Sequence, residues 1–403
     1  MMPTIDPSSY DHPPFPRDII VRMAFSFGDL FKSFGGAGAE ASVLGVDIGA
    51  ASIKVVQLRS SRGTAILETY GEIALGPYAK MPVGKVVKLT PEVTAQALND
   101  LMKEANVTAK SAGIAIPFSS SLINVIDLPK VDAESLKRIV PIEARKYIPV
   151  PVSEVSLDWS VIPQDEAQQD SAFDQLQQKT PSPVRGQEVL LVAIQNSTLK
   201  NYQTIMEIAG LTANFVEIEI FSVVRSTLGH GLAPVMVVDL GAATTKMYVV
   251  ERGIVRMTHL LTLGGQQTTE VLMRTMNWEF EKAERIKRER GLIEGSAFSA
   301  EENARIKEAL LSTLSRVFSE VNRVLLSYGQ RYNKSVSQVI LTGGGASLPG
   351  LAEVARQQLS AQVSIADPFS RTEAPAFLGN VLREIGPAFS VPVGLGLRKL
   401  KHS

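Results

Sequence analysis

Aspartate, glycine, a hydroxyl and lysine recur twice at one spacing: Asp47, Gly49, Ser52 and Lys54 in VLGVDIGAASIKVVQL (residues 43–58), then Asp239, Gly241, Thr244 or Thr245, and Lys246 in VMVVDLGAATTKMYVV (residues 235–250). Apolar runs flank each polar group, the pattern of a hairpin. Glycine at such a turn lets backbone amides approach a polyphosphate, and the Ser52 and Thr244 hydroxyls add donors. An aspartate ends the first strand of each hairpin. Facing each other across a cleft, Asp47 and Asp239 would hold a magnesium ion through its waters, the mode that magnesium prefers. Lys54 reaches phosphate oxygens as a point charge.

One Asp-x-Gly turn alone is an ordinary hairpin. Two in matching context imply two related lobes around a cleft and point to a nucleotide. A third piece, LTGGGASLPG (residues 341–350), lies between an apolar strand and a helix. Gly343, Gly344 and Gly345 allow a flat adenine and its ribose to lie against the main chain, and a helix N-terminus favours phosphate. A glycine triplet also serves any tight strand-to-helix turn; its place after two Asp-Gly hairpins gives it weight. Ala50 in the first turn, and Gly264 and Gly265 closing the second lobe's third strand, complete the expected cofactor-binding set.

The elements needed to position these residues are legible in order. After the opening hairpin come a strand over 65–75, a helix over 91–106 capped by Thr90 with Pro91 at its first position, and a buried strand over 111–116. Residues 121–211 change rhythm (strand, helix, strand, strand, helix) and read as an α+β insert; 163–186, rich in Gln, Asp, Ser and Pro, reads as a mobile loop. Residues 212–232 return to the first lobe, which begins at 43 and runs to 120. The second lobe is expected over 233–397, with a helical nucleotide-side part over about 264–337. Within it, 280–290 reads as a solvated charged helix, 348–359 as a helix, and 377–397 as one packed helix whose glycines allow close backbone approach. Residues 398–403 are a tail. Residues 1–42 are a flexible leader, proline-rich to 22, with Phe27, Leu30, Phe31 and Phe34 on one face of a short amphipathic helix.

At 403 residues, with 45% apolar and 20% charged side chains, the chain predicts two or three globular domains. Its 41 basic and 41 acidic residues balance, which disfavours nucleic acid. There is no cysteine, so disulfides and thiolate chemistry are excluded, and a cytosolic setting fits. The four histidines are not spaced as zinc ligands. No run approaches the ~18 apolar residues of a membrane span, and the start is too polar for a secretory signal.

The three motifs in this order resemble the actin-like ATPase superfamily over residues 43 to about 397. Within it the likeness is greatest to the PilM family of type IV pilus assembly, with the FtsA family next, through LGVDIGAASIKVVQL, LPKVDAESLKRIVPIEARKYIPVPVSEVSLDW, LGGQQTTEVLMRTMNWEFEKAERIK and VILTGGGASLPGLAEVARQQL. The resemblance implies an α/β fold of two ribonuclease-H-like lobes around ATP and Mg²⁺, with the insert in the first lobe. Asp47, Gly49, Ser52 and Lys54 match the first phosphate motif, Asp239, Gly241 and Thr244 the second, and Gly343 to Gly345 the adenosine motif. Ala50, Ala51, Ala242 and Ala243 replace hydroxyls that many relatives carry. No acidic residue is assignable as a base for an attacking water: Glu217 and Glu219 lie in the right region but read as surface strand positions. Binding of nucleotide is expected, with hydrolysis at most slow.

By the same resemblance the partner is the short cytoplasmic N-terminal tail of PilN, held near the junction of first lobe and insert on the cytoplasmic face of the inner membrane. Residues 148–152 either line that groove or form a packed connection. Pilus motor ATPases, other platform proteins and self-association are further partners that it brings in. The alternatives are an FtsA-like membrane-associated filament protein and a small-metabolite kinase. The first is disfavoured because residues 398–403 follow the packed helix directly, with no linker and anchor. The second is disfavoured because it needs a catalytic carboxylate and polar substrate groups where the insert lies.

Overall fold

A computed structural model describes residues 42–162, 186–229, 231 and 233–401. The leader and its amphipathic helix, most of the expected mobile loop, and the last two residues lie outside the described residues.

The chain forms β1 (Val43–Ile48), β2 (Ser52–Ser61), β3 (Thr64–Ala74), α1 (Pro91–Glu104), β4 (Ser111–Ile116), β5 (Ser121–Leu128), α2 (Ala133–Ala144), β6 (Val155–Val161), β7 (Gln187–Gln195), α3 (Asn196–Ile208), β8 (Thr212–Ile218) and α4 (Glu219–Thr227). It continues with β9 (Val235–Leu240), β10 (Thr245–Glu251), β11 (Ile254–Leu261), α5 (Gly265–Met276), α6 (Phe280–Arg290), α7 (Ala300–Tyr332), β12 (Gln338–Thr342), α8 (Leu351–Gln358), β13 (Gln362–Ile365), α9 (Gly379–Ile385) and α10 (Ser390–Lys401).

Two five-stranded sheets share one topology, β3-β2-β1-β4-β8 and β11-β10-β9-β12-β13. In each, an antiparallel meander is extended by two parallel strands. Parallel neighbours need a crossover of a dozen or more residues. Helices α1 and α3 supply it in the first lobe, and α5 to α8 in the second. The central strands are covered on both faces, which is why β1, β4 and β9 read as nearly continuous apolar runs.

Four apolar clusters follow. One packs α1 and α3 on the first sheet, through Leu98, Leu101, Ile205 and Met206. A second packs α5 to α8 on the second sheet. A third joins the facing sides of the two sheets through α4 and α10, with Ile220 and Val223 against Val393 and Leu395. The fourth is the insert's own, from the three-stranded sheet β5-β7-β6 and α2. Its members include Ile148, with Val150 and Val152 packed against it, so residues 148–152 are a packed connection.

Several expectations change. Helix α3, read with the insert, buries Ile205 and Met206 in the first lobe's cluster because it is the crossover to β8. The region 377–397 is not one helix: Gly386–Phe389 forms a 3-10 turn between α9 and α10, at Pro387, which lacks an N–H to continue the ladder. α10 then runs to Lys401, so residues 398–401 are helix rather than tail. The expected close approach is present at Gly394, where a Cβ would collide with the Ser222 carbonyl of α4.

The insert also touches the second lobe. Arg256 Nη1 of β11 donates to Glu188 Oε2 of β7 at 2.6 Å, and Thr258 Oγ1 to the Ile123 carbonyl of β5 at 3.1 Å. Arg331 of α7 donates to the Val125 carbonyl at 3.3 Å.

Candidate functional site: the cleft between the lobes

The two hairpin turns are built alike. Gly49 N–H donates to the Ser52 carbonyl at 3.0 Å, and Gly241 N–H to the Thr244 carbonyl at 3.0 Å. A Cβ at either glycine would lie 3.0 or 2.9 Å from that carbonyl, so the turn can tighten only without one. The outward carbonyls are also used alike. Ala51 and Ala50 accept from Leu75 and Val87 N–H, and Gly241 and Ala242 from Gly265 and Gln266 N–H. The alanines after each turn glycine therefore lie against the loop that follows; a Cβ on Gly264 would come within 2.5 Å of the Ala242 carbonyl.

Both turns line one cleft of about 520 Å³ between the lobes, together with Gly343, Gly344 and Gly345. Gly343 has φ +80°, and a Cβ there would run into Asp239 Oδ1 and the Leu240 carbonyl. Its N–H donates to the Pro387 carbonyl at 2.9 Å, which seats the triplet on the 3-10 turn before α10. Gly344 has open space where a Cβ would go, as expected of a face left free for a flat ligand.

Charge in the cleft is organised in lysine–carboxylate pairs. Lys54 is 3.0 Å from Glu72 of β3 and donates to Ser52 Oγ at 2.8 Å. Burial would raise Glu72, but Lys54, Ser52 and Arg288 together hold it below the usual carboxylate range. Lys246 pairs with Asp239 at 2.9 Å and with Glu219 at 2.7 Å. Burial acts to lower this ammonium, yet the two carboxylates outweigh it and keep it above the usual lysine range. Lys287 lies 2.6 Å from Glu284, donates to the Gly265 carbonyl at 3.0 Å, and is drawn below its usual range by burial. Asp47 differs: burial pushes its carboxyl up to about 7, against the opposing pull of Lys54.

This arrangement corrects three sequence expectations. Glu217 and Glu219 are not surface positions but 1% and 7% exposed. The turn from β8 into α4 buries both: Glu217 pairs with Arg225 of α4 and Arg398 of α10, while Glu219 enters the cleft and meets Lys246 of the second lobe. The charged helix α6 is not merely solvated, since Glu284 and Lys287 face the cleft. Thr244 and Thr245 both line the cleft, but Thr245 is buried and its Oγ1 is already engaged, donating to the Leu263 carbonyl at 2.8 Å. The other expected residues, Asp47, Gly49, Ala50, Ser52, Lys54, Asp239, Gly241, Gly264 and Gly265, all line the cleft.

The donor set fits a magnesium nucleotide. Among the described residues no group of three or more His, Asp or Glu could hold a metal by itself. A magnesium ion needs only one or two carboxylates when phosphates and water supply the remaining ligands. The upward shift of Asp47 comes from desolvation despite Lys54 and Lys246, and a cation bound beside it would favour its charged form.

A segment with no periodic pattern crosses the mouth. Residues 75–90 leave β3, and Val86 N–H donates to Gln266 Oε1 at 2.7 Å. Lys85 pairs with Glu270 at 3.0 Å and sits 4.8 Å over the Phe280 ring.

Two meander-plus-crossover lobes with an Asp-Gly turn each, closed by a glycine triplet, define an actin-like protein with an α+β insert in its first lobe. The sequence profile of the family described as type IV pilus assembly protein PilM matches residues 45–400, and the chain belongs to that family. It is similar to the cell division protein FtsA of Agrobacterium fabrum (26% identical over 243 residues, 52% of this chain and 51% of the relative) and of Neisseria meningitidis serogroup B (25% over 349 residues, 79% and 81%). The match to the first of these spans about half of the relative's length. Among solved structures, a PilM-PilN type IV pilus biogenesis complex superposes with TM-score 0.71 at 24% identity, covering 90% of this chain and 99% of the other. The ethanolamine utilization protein EutJ of Carboxydothermus hydrogenoformans does so with TM-score 0.50 at 17% identity, covering 89% of each chain.

Proposed function

We propose that this protein is an ATP-holding adaptor of the type IV pilus inner-membrane platform. In this reading it binds Mg²⁺ and ATP in the cleft and grips the cytoplasmic N-terminal tail of PilN near the first lobe and insert. The observation that carries the nucleotide part is the duplicated turn, with Gly49 to Ser52 and Gly241 to Thr244 closed at the same distance on opposite walls of one cleft. The family supports the pilus role, and the similar fold solved with PilN motivates the partner. Among the described residues no helix is long and apolar enough to cross a membrane, so attachment to the membrane face is assigned to partners.

Calorimetric titration with ATP and Mg²⁺ tests the nucleotide part. Wild-type protein is expected to bind, and Asp47→Ala to lose binding; tight binding retained by Asp47→Ala would remove the cleft assignment. Fluorescence anisotropy of a labelled PilN tail peptide tests the partner, and no change at protein concentrations up to the millimolar range would reject it.

A further inference from the structure

Lys246 ties together one carboxylate from each lobe on the cleft floor. Its Nζ lies 2.9 Å from Asp239 Oδ2 in the second lobe and 2.7 Å from Glu219 Oε2 in the first. The lysine side chain is 13% exposed, and the two carboxylates are 7% and 9% exposed. Glu219 Oε1 is also engaged, accepting the Phe118 N–H at 2.6 Å. Charge-assisted contacts of this length are the strong class of hydrogen bond, and breaking such a buried pair leaves an uncompensated charge. A water molecule does not easily displace them.

We propose that Lys246 is a positioning residue that locks Glu219 and Asp239 together, so that the cleft holds a nucleoside triphosphate without splitting it. This rests on the nucleotide reading above. In the reaction held off, a water oxygen bonds to the γ-phosphorus while the bond from phosphorus to the bridging oxygen breaks. The electron pair leaves with the diphosphate; of the water's two protons, one stays on the inorganic phosphate and the other passes to the carboxylate that accepts the water's hydrogen bond, and from there to solvent. Orienting that water calls for a carboxylate oxygen free to accept its hydrogen bond. The three glutamates that pair with lysines here are each held: Glu72 by Lys54, Glu284 by Lys287 and Glu219 by Lys246. Of these, Glu219 alone shares its lysine with an aspartate of the second phosphate turn. Lys246 thereby makes the difference between a bound nucleotide and a reacting one.

Single-turnover phosphate release and the dissociation rate of a fluorescent ATP analogue are measured, both with Mg²⁺, on wild type, Lys246→Gln and Lys246→Gln/Glu219→Gln. Wild type is expected to bind the analogue and release phosphate at the background rate. Lys246→Gln should still bind it, with phosphate release raised by about 10²-fold, the lower range for a positioned proton acceptor. The double variant should lose that gain, which a merely structural lysine does not predict. Binding by Lys246→Gln with no faster release overturns the proposal. Where that variant does not fold, a crystal structure of wild type with a non-hydrolysable ATP analogue and Mg²⁺ decides: Lys246 still paired with Glu219 supports the lock, and Lys246 swung onto the phosphates with Glu219 released overturns it. Wild type that binds no analogue overturns the nucleotide reading itself, a distinct result.

Discussion

Lys85 of the first lobe and Glu270 of the second meet at 3.0 Å across the mouth of the cleft. Beside them Val86 N–H reaches Gln266 Oε1 on the same helix, so residues 75–90 strap the lobes together beside the cleft that Gly84 lines. The pair is partly exposed, 25% and 35%, and a pair of this kind is worth about 0.2–1 kcal/mol. Lys85→Ala should therefore speed release of a bound fluorescent ATP analogue by about 1.5- to 5-fold, since 1.4 kcal/mol is tenfold. Stopped-flow displacement checks this, and an unchanged rate would mean that the strap does not gate exit.

Asp47 makes the ligand-free protein sensitive to pH near neutrality. Its carboxyl is raised by burial to about 7, above the unfolded value of about 3.9. A group shifted upward stabilises the fold fully below its unfolded pKa, and that contribution is lost as pH rises through the folded one. Thermal unfolding without nucleotide should show stability falling from about pH 4 to about pH 7 on this account. Asp47→Asn should flatten that slope, and a slope unaltered by the substitution would refute the assignment.

Adjacent glycines of the triplet should respond oppositely to alanine. Gly343 has φ +80° and no room for a Cβ beside Asp239, whereas Gly344 has open space. Gly343→Ala is expected to lower stability by about 1–3 kcal/mol, the usual cost of strain at such a position. Gly344→Ala should stay within about 0.5 kcal/mol as a surface change. Urea unfolding of both variants gives the comparison, and equal losses would contradict the geometry.

The hairpins and the glycine triplet were legible because each is local: a turn, its glycine and its flanking strands are neighbours in the chain. What escaped depends on surfaces that parts of the chain far away in sequence provide. Glu217 and Glu219 alternate with Val216, Ile218 and Ile220, a pattern that normally puts the acids in water. Here α4 and α10 cover them, and three cations neutralise them: Arg225 and Arg398 for Glu217, and Lys246 for Glu219. Glu284 and Lys287 have the spacing of any solvated helix pair, and nothing in α6 itself tells that Gly265 will lie against its lysine. The strap over residues 75–90 has no periodicity to read. Helix α3 was grouped with the insert because it follows β7 directly in the chain, although the parallel partnership of β4 and β8 requires it in the first lobe.

The insert leaves the chain from the first lobe and bonds to β11 and α7 of the second, through Arg256, Thr258 and Arg331. Lobe, lobe and insert thus form a closed kinematic loop of three bodies. In such a linkage no body moves alone: a change in the angle between the lobes would have to be accommodated where the insert meets β11 and α7. A protein gripping the insert would exert torque on the cleft without touching it.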